Sequence, residues 1–111
     1  MSTRATILIK ESSRTKYVYH HCDGYPEGIG SDMQSYLNTL EDKDWTIDHI
    51  LNDMLSGHVL LDNGYEDNES IHGDEEFVYV IDCLEKKIHC YIHHWDDYES
   101  CIKPENEVEI E

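Results

Sequence analysis

The alternation of apolar and polar positions predicts where the strands lie. Between Arg4 and Lys10, Ala5, Ile7 and Ile9 share one face and Thr6 and Leu8 the other, the two-residue period of a strand. The polar run Glu11–Thr15 has the length of a hairpin connection, and Lys16–His21 reads as a second strand. There Val18 and His20 oppose Tyr17, Tyr19 and His21. A core shared by Ile7, Ile9 and Val18 predicts antiparallel pairing of the two.

The period then lengthens to that of helices. Met33, Tyr36, Leu37 and Leu40 recur at i, i+3, i+4 and i+7 behind Ser31-Asp32-Met33-Gln34, a sequence that matches a capping box. Ile47, Ile50, Leu51 and Met54 repeat the spacing behind a Thr46 cap, and Gly57 stands where a helix ends. Trp45, between the helices, is expected to plug the core. His58–Leu61 reads as a short strand or an extended connector. Residues 62–76, with seven acids and two glycines, read as an exposed loop.

Phe77–Ile81 is apolar on both faces and is expected at the centre of a sheet. A turn at Cys83–Lys86 leads to Ile88–His93, with Ile88, Cys90 and Ile92 inward and His89, Tyr91 and His93 outward. The acidic tail, 104–111, either adds an edge strand through Val108 and Ile110 or frays. The expectation is one α+β domain: an antiparallel sheet of about four strands with two helices packed on one face, in the order ββαα(β)ββ.

Composition changes the picture chiefly through charge. The chain of 111 residues carries 25 Asp plus Glu against 8 Lys plus Arg, a formal net charge of −17. Such a surface repels phosphate, which disfavours direct binding to nucleic acid or an anionic membrane and favours a basic protein partner. No stretch reaches the apolar length of a membrane span, and no apolar segment follows the first residues, so a cytoplasmic location in a host cell is expected. Without a signal peptide, Cys22, Cys83, Cys90 and Cys101 are expected as thiols.

Candidate chemistry concentrates in Tyr17–Gly30. His20, His21 and Cys22 with Cys90, His93 and His94 are zinc-type ligands, but Cys90 and His93 fall on opposite faces of a strand, and no metal or other cofactor is expected. The glycines before the first helix invite comparison with a phosphate cradle. They lack the Gly-Lys-Ser/Thr ending, and Asp23, Glu27 and Asp32 would repel phosphate. No catalytic residues are assigned.

Two readings of function remain. In the first, the acids Asp62, Glu66, Asp67, Glu69, Asp74, Glu75, Glu76, Asp96 and Asp97 bind a basic partner protein. In the second, a small ligand or metal is bound by the His20–Gly30 loop through His21, Asp23, Tyr25 and Glu27. A Tyr- and His-rich edge strand also offers a way to pair two copies.

The opening Ser2-Thr3-Arg4-Ala5-Thr6-Ile7, together with Tyr19-His20-His21-Cys22-Asp23-Gly24-Tyr25-Pro26-Glu27-Gly28-Ile29-Gly30, resembles a group of small uncharacterised bacteriophage and prophage proteins. These typically read Ser-Thr-Arg-x-x-Ile and then Tyr-x-His-x-Asp-Gly-Tyr-Pro. Tyr79-Val80-Ile81-Asp82 is similar to their closing hairpin. Where that pattern often has Trp before the Asp, this chain has Cys22. The resemblance implies a phage or mobile-element origin. Small acidic proteins of that kind are often nucleic-acid mimics or inhibitors of a host defence enzyme.

Overall fold

The computed structural model describes residues 4–20, 24–56, 65–68 (backbone only), 76–92, 107–108 and 110. Its strands are β1 (Ala5–Lys10), β2 (Thr15–His20), β3 (Tyr65–Asn68), β4 (Phe77–Asp82), β5 (Lys87–Ile92) and the two-residue β6 (Glu107–Val108). Its helices are α1 (Ser31–Leu37) and α2 (Ile47–Leu55). The strands form a single sheet in the order β3-β2-β1-β4-β5-β6. The class is α+β, and the sheet is mostly antiparallel.

One pairing departs from the expected all-antiparallel sheet. β1 and β4 run parallel, with Ile7 opposite Tyr79 and Ile9 opposite Ile81. These two strands have apolar residues on both faces. A strand of that kind is best buried between neighbours, so β4 lies beside β1 at the centre and β2 and β5 flank the pair. The chain between β1 and β4, through β2, both helices and β3, is long enough for the crossover that a parallel pair requires.

A second correction concerns residues 62–76, read from sequence as a loop. Tyr65–Asn68 is strand β3, antiparallel to β2 with Tyr65 opposite His20 and Asn68 opposite Tyr17. The reading failed because Tyr-Glu-Asp-Asn shows no apolar alternation; a backbone ladder does not require one. The tail does supply an edge strand at Val108, opposite Cys90.

The main core joins the sheet to the helical layer. Ala5, Ile7, Ile9, Val18, Tyr79, Ile81 and Cys90 of the sheet cluster with Ile29, Met33, Tyr36, Leu37, Ile47, Ile50 and Met54. Leu40, Trp45 and Leu51 are only partly buried and pack against its margin, so Trp45 borders the core instead of plugging it. Leu8, Val78 and Val80, at the alternate strand positions, form a second cluster with Tyr17 and Tyr91.

The capping prediction holds for one helix and fails for the other. Thr46 Oγ1 accepts from the His49 N–H at 3.2 Å and starts α2. Ser31 makes no capping bond, because Gly30 before it is already helical (φ −59°, ψ −52°) and takes the cap position of α1. The Gln34 side-chain amide donates forward to Asn38 Oδ1 instead. Gly57 and residues 58–61 lie outside the described residues.

Candidate protein-binding surface

The glycine loop is held from below by a core residue. The Tyr79 hydroxyl donates to the Gly24 carbonyl oxygen at 2.7 Å, and the Gly28 N–H donates to the Tyr25 carbonyl at 2.9 Å. Ile29 and Gly30 are buried, whereas Tyr25 and Glu27 face solvent. Gly30 lies against the Tyr79 ring so closely that an added Cβ would sit 3.0 Å from the hydroxyl oxygen. The described part of the loop is therefore a packed corner between β2 and α1. Of the four ligand residues expected there, His21 and Asp23 lie outside the described residues, and Tyr25 and Glu27 are exposed.

Among the described residues, no group of His, Cys, Asp and Glu is placed to hold a metal ion. His20 and Cys90, the described members of the proposed set, occupy β2 and β5, with β1 and β4 between them. Three strand spacings separate them by about 14 Å, too far for one ion. His21, Cys22, His93 and His94 lie outside the described residues. The Cys83 and Cys90 thiols are buried, and burial pushes them up to about 11 and about 12; the charge of Glu11 adds to the effect at Cys83. Such thiols are poor nucleophiles at neutral pH.

Of the acids expected to meet a partner, Glu66 and Asp67 lie on the backbone of β3, opposite Tyr19 and Val18 of β2. Glu76 is exposed at the entry to β4, its N–H bonded to the Arg4 carbonyl at 3.0 Å. Asp62, Glu69, Asp74, Glu75, Asp96 and Asp97 lie outside the described residues.

A second acid-rich stretch runs through the two helices. Residues 24–56, which form the helical layer, contain Glu27, Asp32, Glu41, Asp42, Asp44, Asp48 and Asp53 against a single base, Lys43. The β1–β2 hairpin is the reverse, with Arg4, Lys10, Arg14 and Lys16 against Glu11. Glu27, Glu41, Asp42 and Asp48 are exposed. Two of the others serve the fold. Asp44 Oδ2 accepts from the Glu41 N–H at 3.2 Å in the 3-10 turn Asp42–Asp44. Asp53 accepts from the Tyr36 hydroxyl and lies 3.3 Å from His49 Nε2. Burial, and then that bond to Asp53, raise the Tyr36 phenol well above its ordinary range.

The two charge regions meet where the hairpin is fastened to α2. Glu11 Oε2 accepts from the Ile47 N–H at 2.7 Å, a cap from a distant segment. Arg14 and Asp48 face each other at 3.6 Å with both side chains mostly exposed. No helix of the described residues is long and apolar enough to cross a membrane. No family model matches this chain, nor does any curated protein or solved structure.

Proposed function

We propose that this chain is a non-catalytic phage or prophage accessory protein that binds a basic partner protein through its acidic surface. It acts as a nucleic-acid mimic or as an inhibitor of a host defence enzyme that handles nucleic acid. What supports this reading is the distribution of charge along the chain: residues 24–56 hold seven acids and one lysine, with Glu27, Glu41, Asp42, Asp48 and Lys43 exposed, while Arg4 and the β1–β2 hairpin hold four of the bases. An excess of one sign attracts a surface of opposite sign from a distance and rejects nucleic acid itself. The resemblance to phage proteins supplies the setting.

Affinity capture of the tagged protein from a host lysate tests the proposal, at low and at raised salt, with bound proteins identified by mass spectrometry. A basic nucleic-acid-binding protein should be held at low salt, released as salt rises, and displaced by added DNA. If neither salt condition yields a specific partner, the reading is wrong.

A further inference from the structure

A groove of about 380 Å³ runs along the outer side of α2, lined among the described residues by Asp48, Leu51, Asn52, Leu55 and Ser56. These positions follow the i, i+3, i+4, i+7 spacing of one helix face, so the groove extends over two turns, about 10 Å. α2 buries Ile47, Ile50 and Met54 in the core on its other side. Leu55 is 43% exposed, so the groove has an aliphatic wall in contact with water, flanked by Asn52, Ser56 and the carboxylate of Asp48.

We infer that this groove is the docking site for a basic amphipathic segment of the partner protein. An aliphatic side chain of that segment seats on Leu51 and Leu55, and a Lys or Arg beside it pairs with Asp48. The inference rests on the proposed function and names its contact surface. Charge complementarity selects the occupant. The groove opens on the layer that has one lysine among its acids, and the residues leading into α2 include Glu41, Asp42 and Asp44. An acidic or neutral helix would bring no counter-charge to this face. Asp48 already has Arg14 at 3.6 Å, but both side chains are mostly exposed, and an exposed pair of this kind exchanges readily with an incoming cation. The apolar wall adds what charge alone lacks: a preference for one arrangement of side chains.

The test uses two fluorescein-labelled synthetic peptides of equal positive charge, one a Leu/Lys amphipathic helix and the other lysine-only, with binding read by anisotropy. The amphipathic peptide should bind about tenfold more tightly than the lysine-only one. Leu55→Ser should remove that preference while leaving the lysine-only affinity unchanged, and Asp48→Asn should weaken both. Equal binding of the two peptides, unaltered by Leu55→Ser, would overturn the groove and leave the acidic-surface reading standing. If neither peptide binds even at low salt, both fail. Sedimentation that shows a dimer dissociated by Leu55→Ser would give the groove to a second copy of the chain and likewise overturn the inference.

Discussion

The Tyr79 hydroxyl donates to the Gly24 carbonyl oxygen at 2.7 Å, joining a central strand to a loop 55 residues earlier in the chain. The same ring limits Gly30, where an added Cβ would come within 3.0 Å of the hydroxyl oxygen and 3.1 Å of Cε2. Gly30 has helical backbone angles, so Ala would recover about 0.4–1 kcal/mol of chain entropy there. The buried, hydrogen-bonded Tyr79 ring has little room to give, however, and the overpacking cost of about 1–3 kcal/mol should leave Gly30→Ala less stable. Tyr79→Phe should cost a similar amount, about 1–3 kcal/mol, because it strands a buried carbonyl. Phe also removes the nearer of the two contacts, so the double variant should lose less than the sum of the single ones. Urea unfolding midpoints of the four proteins check this; strict additivity would contradict the contact.

Glu11 supplies the second long-range tie, accepting from the Ile47 N–H at the start of α2. Glu11→Ala should destabilise by about 0.5–2 kcal/mol, the usual cost of losing an N-terminal helix cap. Glu11→Gln keeps an acceptor oxygen and should recover most of that loss. Thermal unfolding followed by circular dichroism measures both, and equal losses in the two variants would show that packing, not the cap, is responsible.

Stability should fall in alkali. Burial raises the Cys83 and Cys90 thiols to about 11 and about 12, and Tyr36 is raised as well. The unfolded chain binds its thiol protons less tightly, with ordinary pKa values near about 8.5. A raised folded value means that the contribution is complete below the unfolded value and is lost as pH climbs through the folded one. From about pH 9 up to about 11 for Cys83, and up to about 12 for Cys90, each thiol should then remove up to about 1.4 kcal/mol per pH unit. Cys90→Ala should begin less stable at neutral pH yet decline less steeply. Urea midpoints across this range decide the matter, and a midpoint that does not move with pH would contradict it.

What could be read from the sequence was what local periodicity encodes. The β1–β2 hairpin, α1, α2, β4 and β5 each show a two- or 3.6-residue repeat with their own turn or cap residues, and all five are present. Two features depend on partners far along the chain, and a third on the turn just before it. The parallel β1–β4 contact arises from where two doubly apolar strands can be buried. β3 borrows its order from the β2 backbone, and its own Tyr-Glu-Asp-Asn carries no strand period. Ser31 looked like a cap because its neighbours match the motif, but the turn at Pro26–Gly30 places it inside a winding already begun.

The candidate surface was legible only in part. The acid-rich run 62–76 stands out because seven acids fall among fifteen residues. Those of residues 24–56 are spread thinly among Met33, Tyr36, Ile47 and Ile50, so no local run of charge marks them. A count of acids against bases in residues 24–56, set beside the same count for the hairpin, would have exposed the asymmetry without a structure.

The most direct measurement for the central claim compares capture by the native protein with capture by a Glu41→Gln, Asp42→Asn, Asp48→Asn triple variant from the same host lysate at low salt. Glu41→Gln keeps an oxygen to accept from the Asp44 N–H, and Asp48→Asn gives up an exposed pair with Arg14 and a first-turn charge of α2, so the variant should retain its circular dichroism spectrum and lose no more than about 1–2 kcal/mol of stability. The account predicts that the native protein retains a basic nucleic-acid-binding protein and that the folded variant loses most of it. Undiminished capture of that protein by the folded variant would contradict the assignment of binding to the acidic helical layer.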